Sequence, residues 1–171
     1  MNALFIVAQQ GYQDLEYGVP KQILEQEGVE VVTAAKVRGV ASGKVYTTVA
    51  TLALDEVRVE DYDVVIFIGG PGAVRYQHDA EAHRIILQTV AQGILLGAIC
   101  IAPTILAYAG VLKGKKATVW NEDGKQEPLF KKMEITYTGN AVTQDGRIVT
   151  ANGPGAARDF GKKMVEVLQR G

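Results

Sequence analysis

Ile94-Leu95-Leu96-Gly97-Ala98-Ile99-Cys100-Ile101-Ala102-Pro103 is the stretch that decides the fold, because an unbroken apolar run reaches a cysteine and a proline follows three residues later. The run predicts a strand over residues 94–99 that is buried on both faces. Pro103 suits the first turn of a helix. Ala98 and Ala102 flank Cys100 at the spacing of a nucleophile elbow, where the crowded backbone requires small neighbours. The stretch therefore predicts a strand, a tight turn that carries Cys100, and a helix.

A cysteine on such a turn has two interpretations. The free N–H groups and the dipole at a helix N-terminus favour negative charge, so we expect the pKa of Cys100 to lie below the ~8.5 of a free thiol. A thiolate in that position would be a nucleophile. The alternative is a buried and inert thiol, which is a common fate of a single cysteine. The turn alone leaves both interpretations open.

The rest of the chain alternates between strand and helix patterns. Strands are predicted at residues 3–8, 29–34, 64–68, 117–120 and 135–138, helices at 14–27, 80–92, 103–109 and 156–168, and hairpins at 37–49, turning at Ser42-Gly43, and at 141–151, turning at Asp145-Gly146. Buried strands that alternate with helices indicate an α/β sandwich around a mostly parallel sheet. No linker or repeat interrupts the pattern, so residues 1–171 are predicted to form a single domain.

Composition narrows the function. The chain has 171 residues, with 18 Lys and Arg against 19 Asp and Glu, and no basic block that would suit nucleic acid. No apolar run approaches the ~20 residues of a membrane span. The first five residues lack the positive charge of a signal peptide, so a cytoplasmic location is expected. The single cysteine, Cys100, excludes an internal disulfide and a multi-cysteine metal site.

Nucleotide and metal motifs are missing. The loop after the first strand reads Gln9-Gln10-Gly11-Tyr12 and lacks the dinucleotide-binding glycine pattern, and no P-loop occurs. His78 and His83 are five residues apart, with no cysteine nearby, and are more simply interpreted as solvated side chains than as a metal pair. We therefore expect neither a cofactor nor a metal.

Ligands of such folds bind beyond the carboxyl ends of the strands, which directs attention to the loops after residues 8, 68 and 99. Gly69-Gly70-Pro71-Gly72 follows a buried strand, and glycines there let backbone N–H groups approach a ligand. Together with the N–H of Ile101 they are suited to an oxyanion hole. The alternative is an ordinary turn between a strand and a helix.

Glu16 lies near the start of the first predicted helix, at the same sheet edge as Cys100. A partly buried carboxyl there would either stay protonated and hydrogen-bond a thiolate, or act as a general acid/base. The alternative is an exposed acid that interacts with the helix dipole. Asp14 and Glu25 satisfy the same description, so the pattern alone does not single out Glu16.

Four segments together carry a resemblance to a known family: Asp14-Leu15-Glu16-Tyr17-Gly18-Val19-Pro20, Asp63-Val64-Val65-Ile66-Phe67-Ile68-Gly69-Gly70-Pro71-Gly72, Ala98-Ile99-Cys100-Ile101-Ala102-Pro103 and Thr150-Ala151-Asn152-Gly153-Pro154-Gly155. On these the chain resembles the ThiJ/PfpI superfamily, which includes the parkinsonism-associated deglycase, nearly from end to end. The resemblance implies a flavodoxin-like three-layer sandwich of the kind shared with class I glutamine amidotransferases. It also implies a homodimer or a higher homo-oligomer.

The resemblance assigns roles one residue at a time. It makes Cys100 the elbow nucleophile and Glu16 the catalytic acid. It makes Gly70 and the N–H of Ile101 the oxyanion donors, with Gly69 beside them. Trp120 takes the place of a histidine found in deglycase-like members and is expected to form a wall of the pocket.

Two departures affect the expected chemistry. Peptidase-like members carry histidine directly after the cysteine, where this chain has Ile101, and the second histidine is replaced by Trp120. Neither His78 nor His83 is placed to take the thiol proton, although a loop near His78 lies in the right part of the chain.

What remains is a pair formed by Cys100 and Glu16, and the resemblance then implies a cofactor-independent glyoxalase or deglycase. Such a stress protein acts on a small carbonyl compound, a 2-oxoaldehyde or its adduct. The alternatives are a non-catalytic redox sensor with an oxidisable Cys100, a cysteine hydratase, and a peptidase-like hydrolase.

Overall fold

The structure is a computed structural model that describes residues 1–171. Its strands are β1 Asn2–Ile6, β2 Gln10–Tyr12, β3 Glu30–Ala35, β4 Gly39–Gly43, β5 Thr47–Ala50, β6 Leu52–Ala53, β7 Val64–Phe67, β8 Leu95–Ile99, β9 Lys116–Ala117, β10 Thr136–Tyr137, β11 Val142–Asp145 and β12 Ile148–Ala151. Its helices are α1 Asp14–Gln26, α2 Ala80–Ala91, α3 Pro103–Tyr108, α4 Gln126–Lys132 and α5 Ala157–Gln169.

A seven-stranded sheet in the order β11-β12-β8-β7-β1-β3-β6 forms the middle layer. All neighbours in it are parallel except β11 and β12. Side chains alternate between its faces: Leu4 and Phe67 belong to the core beneath α2 and α3, whereas Phe5 and Ile66 belong to the core beneath α1 and α5. This arrangement confirms the predicted α/β sandwich. None of the five helices combines the length and apolar character needed to cross a membrane.

Gly97 allows the closing helix to approach the sheet. A Cβ atom at Gly97 would lie 2.7 Å from Cε of Met164 and 3.0 Å from Cζ of Phe160, both on α5. Such distances are far below van der Waals contact, so β8 and α5 pack this closely only because residue 97 lacks a side chain. This packing fixes the position of β8 relative to α5, and hence the position of Cys100 at the end of the strand.

A second, smaller sheet in the order β2-β4-β5 covers one end of the molecule. The predicted turn of its hairpin at Ser42-Gly43 is wrong, because β4 continues through Gly43 and the loop consists of residues 44–46. The carboxylate of Asp14 explains the position, since it accepts the N–H groups of Lys44, Val45 and Tyr46 at 3.1–3.2 Å. A contact between residues 30 apart in the chain therefore sets the turn.

The region between Trp120 and β10 contains a helix that the sequence pattern does not reveal. Phe130 is the only fully buried residue of α4, so no apolar repeat appears. The side chain of Asn121 instead caps the helix, accepting the N–H groups of Gln126 and Glu127 at 2.9 and 3.1 Å. The flanking strands are shorter than predicted and form a separate parallel pair, β9 with β10.

Candidate active site

Cys100 lies on a strained turn between β8 and α3. Its φ is +64°, a left-handed conformation that is unfavourable for any residue with a side chain. Its N–H donates to the carbonyl of Ala151 at 2.9 Å, and its carbonyl accepts the N–H of Trp120 at 2.8 Å. Ala98 and Ala102 are fully buried on either side. The neighbouring strand and the loop at Trp120 therefore hold the thiol at the carboxyl edge of the sheet.

Burial separates Glu16 from the other acids of α1. Glu16 is fully buried, and its Oε2 accepts the N–H of Gly69 at 3.0 Å, whereas its Oε1 is buried and has no partner in hydrogen-bond geometry. The carboxylate of Asp14 already accepts the N–H groups of the hairpin loop at residues 44–46, and Glu25 forms a surface ion pair with Lys21. Glu16 is therefore the acid of this helix that carries unused hydrogen-bonding capacity next to Cys100.

Burial and mutual interaction set the pKa values of this pair. Burial raises the pKa of Glu16 to about 7, and the nearby Cys100 thiol and the hydrogen bond from the Gly69 N–H only partly oppose that rise. The pKa of Cys100 is raised to about 12, first by burial and then by the charge and proximity of Glu16. The two groups are thus coupled, and a charge on one disfavours a charge on the other.

The expected lowering of the Cys100 pKa is therefore wrong. The N–H groups of Ile101 and Gly70 do lower it, but burial and the carboxylate outweigh them. The helix that follows is also short, with six residues in α3, and so adds little dipole. Near neutral pH the pair thus holds a protonated thiol beside a carboxyl group whose pKa lies near 7, a value suited to a general base that takes the proton as the sulfur reacts.

Two backbone amides meet at the sulfur. Neither Gly70 nor Ile101 donates its N–H to a backbone carbonyl, and both act on Cys100. Gly70 adopts a φ of +105°, and a Cβ there would lie 2.4 Å from the carbonyl oxygen of Gly11. A Cβ on Gly69 would lie 2.5 Å from Oε2 of Glu16 and 2.6 Å from Cβ of Cys100. Side chains are thus excluded from both positions.

An open cleft of about 920 Å³ gives access to this group. Cys100, Ile101, Gly70 and Trp120 line it, so Trp120 occupies the wall position expected of it. Glu16 and Gly69 are not part of the lining. An electrophile in the cleft would therefore meet the sulfur and the two amides, with the carboxyl group on the protein side of the thiol.

Neither histidine lines the cleft. The ring of His78 packs against Tyr108 with centroids 4.4 Å apart, and Nε2 of His83 contacts the carbonyl of Gln77 at 2.6 Å. The loop near His78 does reach the cleft, but it does so through Gln77. The titratable side chain that interacts with the sulfur is therefore Glu16 rather than a histidine.

Asn152 is a lining residue that sequence reasoning missed. It follows β12, whose last residue, Ala151, accepts the N–H of Cys100, so Asn152 stands beside the cysteine on the neighbouring strand. Its side chain makes no hydrogen bond within the protein, in contrast to Gln13, which caps α1 through Oε1 at 2.6 and 3.1 Å. The sequence could have indicated Asn152 through the rule that ligands bind beyond the carboxyl ends of strands. The rule needed to be applied also to the strand predicted at residues 148–151, which lies beside the strand that carries Cys100.

Comparison with known proteins agrees with this geometry. The model of the DJ-1/PfpI family matches residues 1–167. Deglycase PfpI of Pyrococcus furiosus is 30% identical over 170 residues, covering 99% of this chain and 100% of the relative. The glutathione-independent glyoxalase DJR-1.2 of Caenorhabditis elegans is 28% identical over 170 residues, covering 98% and 89%.

A ThiJ/PfpI domain protein from Brachyspira murdochii has the same fold, with a TM-score of 0.94, 28% identity, and coverage of 99% of this chain and 96% of the other. This protein belongs to the DJ-1/PfpI family. The resemblance and the fold predicted from the sequence are both confirmed.

Proposed function

We propose that this protein is a cofactor-independent enzyme of the glyoxalase or deglycase type, with Cys100 as nucleophile and Glu16 as general acid/base. One observation carries the proposal: a fully buried carboxyl group, with one oxygen unpartnered, adjoins the thiol beside an open cleft. Relatives named deglycase and glyoxalase, at 30% and 28% identity, support the substrate class of small carbonyl compounds.

In the first step, Cys100 attacks the substrate while Glu16 takes the thiol proton. The sulfur of Cys100 attacks the aldehyde carbon of a 2-oxoaldehyde, and the thiol proton passes to Glu16 as the C–S bond forms. The carbonyl π electrons move to the aldehyde oxygen. The N–H groups of Gly70 and Ile101 donate hydrogen bonds to the resulting oxyanion and so form an oxyanion hole. No cofactor is needed for this step.

The remaining steps move protons. Glu16 gives its proton to the oxyanion, and the regenerated carboxylate then removes the proton from the same carbon, which forms an enediolate with its charge on the neighbouring ketone oxygen. Transfer of the new hydroxyl proton to that oxygen, and return of the carbon proton from Glu16 to the adjacent carbon, give a 2-hydroxyacyl thioester. Water then hydrolyses the thioester, which releases the 2-hydroxy acid and restores the thiol. A deglycase would share the attack on carbon and differ in the group that leaves.

The direct test is lactate production from methylglyoxal by the purified protein and by Cys100→Ala. We expect the substitution to lower turnover by at least about 1,000-fold, because the covalent step is lost. Circular dichroism and a denaturation curve serve as controls that the variant is folded. Turnover equal to wild type in folded Cys100→Ala would refute the proposal.

The alternative functions receive less support from the site. A redox sensor needs a thiolate that oxidises readily, whereas the pKa of Cys100 is raised. A peptidase needs an imidazole beside the cysteine, and none lines the cleft. A cysteine hydratase would use the same pair of groups. Turnover of an isonitrile in place of methylglyoxal is the measurement that distinguishes it.

We also propose that the protein is a cytoplasmic homodimer or higher homo-oligomer with a role in the stress response, including oxidative stress. Valines 40 and 49 are paired across β4 and β5 and are 61% and 60% exposed, and Val45 and Tyr46 at the tip are 72% and 69% exposed. Exposed apolar residues in such a cluster favour association. Sedimentation of wild type against Val40→Lys tests the dimer: the variant should sediment as a smaller species.

A further inference from the structure

The charged side chains that line the active-site cleft are all acidic. They are Glu122 and Asp123, in the loop between Trp120 and α4, and no lysine, arginine or histidine joins them. Asp123 accepts hydrogen bonds only from neutral donors, the N–H of Lys125 at 3.0 Å and Nε2 of Gln126 at 3.2 Å. The ion pairs of the protein involve neither acid. Both charges therefore remain uncompensated by a salt bridge.

The other polar groups of the cleft do not offset this charge. The side chains of Asn152, Gln13 and Gln77 are neutral amides. Beneath the sulfur, Glu16 adds a further negative charge in the fraction of molecules where it is ionised. A concave surface with low-dielectric walls concentrates the field of such charges. An approaching ligand thus experiences a negative potential from the mouth of the cleft to the thiol.

We propose that this cleft selects electrophiles by charge: it favours carbonyl compounds that carry a positively charged group and disfavours those that carry a carboxylate. The cleft, at about 920 Å³, is much larger than a three-carbon aldehyde requires, so a substrate with a side chain fits. An ammonium or guanidinium group on that side chain would lie toward Glu122 and Asp123 while the carbonyl meets Cys100. The carbonyl class rests on the proposed function, whereas the charge preference applies to any reagent for the thiol.

The experiment uses Cys100 itself as the probe, because it is the only cysteine of the chain. Methanethiosulfonates with a trimethylammonium, a neutral methyl or a sulfonate group convert the thiol to a mixed disulfide. Methanesulfinate leaves and the thiol proton passes to solvent. Each rate is divided by the rate of the same reagent with 2-mercaptoethanol. We expect the cationic reagent to react about 10-fold faster than the anionic one at low salt, and less so at high salt.

Variants identify the charges responsible. Glu122→Gln with Asp123→Asn should lower the cation-to-anion rate ratio by about 3-fold or more. Glu122→Gln alone removes no hydrogen bond and should lower it in part. Glu127→Gln is the matched control, since Glu127 lies in the first turn of α4 and does not line the cleft. A ratio of one in the wild-type protein, or a ratio that the double variant leaves unchanged, would overturn the proposal.

A turnover experiment separates this inference from the proposed function. Phenylglyoxal with a para trimethylammonium group should show a higher kcat/KM than phenylglyoxal with a para carboxylate, and the double variant should narrow the gap. If neither methylglyoxal nor any phenylglyoxal is turned over, the proposed function fails, but the labelling ratios still decide the charge preference. If turnover occurs with equal labelling ratios, the charge preference fails and the enzyme proposal stands.

Discussion

Two turns of this molecule hold a non-glycine residue in the left-handed conformation, but they end different kinds of element and their side chains lie in different surroundings. Cys100 has a φ of +64° and Glu134 a φ of +59°. Glu134 follows the C-cap residue of α4, Met133, and the N–H of Ile135 donates to the carbonyl of Phe130 at 2.9 Å. This is the hydrogen bond of a Schellman motif, whose left-handed position is usually a glycine. The side chain of Glu134 is exposed and pairs with Lys113.

The turn at Cys100 ends a strand rather than a helix, and glycine would not serve it in the same way. Its backbone is held by Ala151 and Trp120, its sulfur meets two amides, and a buried carboxyl group adjoins it. The comparison teaches that strain alone does not mark a functional site. What distinguishes the turn at Cys100 is the buried acid beside it, Glu16, one of whose carboxyl oxygens has no hydrogen-bond partner within the fold.

Among substitutions that keep the cysteine, the largest expected effect follows from removing that acid's ability to ionise. Glu16→Gln keeps the shape of the side chain but leaves the thiol without a proton acceptor. We expect kcat for methylglyoxal to fall by at least about 100-fold, the usual contribution of a general acid/base. Glu134→Gln is the matched control at the other turn and should leave kcat unchanged. Equal kcat values for the two variants would remove Glu16 from the mechanism.

The glycine beneath the thiol gives a second, steric test of the elbow. In Gly69→Ala the new methyl group would overlap Oε2 of Glu16 and Cβ of Cys100, at 2.5 and 2.6 Å, and so must separate them. We expect a loss of kcat/KM of about 10- to 100-fold, since misplacing a catalytic group by about 1 Å has an effect of this size. Gly114→Ala is the control, because a Cβ there meets nothing within 4 Å. Its kcat/KM should match wild type even where its left-handed φ lowers stability.

The buried acid also makes stability depend on pH. The pKa of Glu16 is about 7 in the folded protein, against an ordinary value of 4.5. Between these values the folded protein holds a proton that the unfolded chain has lost, so the free energy of unfolding falls as pH rises toward about 7. The decrease is up to about 3 kcal/mol. Urea unfolding of wild type and Glu16→Gln at pH 4.5, 6 and 8 measures it.

The Glu16→Gln protein should lack this decrease, because its side chain does not ionise. Parallel stability curves for the two proteins would mean that the pKa of Glu16 is ordinary. In the wild-type enzyme kcat/KM should rise with pH through a midpoint of about 7, since the carboxylate form accepts the thiol proton. The pH at which the stability of the wild-type protein stops falling should match this midpoint if Glu16 controls both, which ties the stability measurement to the mechanism.

The apolar runs of the sequence, alternating with helix patterns, predicted the α/β sandwich. Residues 3–8, 64–68 and 94–99 are unbroken apolar stretches, which are typical of strands covered on both faces. They placed Cys100 and Gly70 at one edge of one sheet. The loops between 37 and 49 and between 120 and 133 were not predictable in the same way. Hydrogen bonds from the backbone to the side chains of Asp14 and Asn121 determine the conformation of these loops, and neither residue belongs to a periodic pattern.

The candidate site was predictable in its members but not in its electrostatics. Resemblance assigned Cys100 and Glu16, yet the direction of the thiol pKa depends on burial and on the nearby carboxyl group, which only the folded chain shows. Asn152 was missed because its place beside Cys100 depends on β12 pairing with β8, a contact between residues more than 50 apart in the chain. Long-range neighbours of this kind leave no local signal.

The smallest effect expected here concerns the other turn. Glu134→Gly should raise the free energy of unfolding by about 0.5–1 kcal/mol, because glycine adopts the left-handed conformation without strain. Glu127→Gly, the same substitution in the right-handed first turn of α4, should lower it by up to about 1 kcal/mol. Urea denaturation measures both, and stabilities that shift in the same direction would show that the backbone at Glu134 is not strained.

Cys100→Gly relieves a comparable backbone strain at the other turn, yet this variant should lose all turnover. That contrast would show that the elbow is maintained for its sulfur rather than for its backbone.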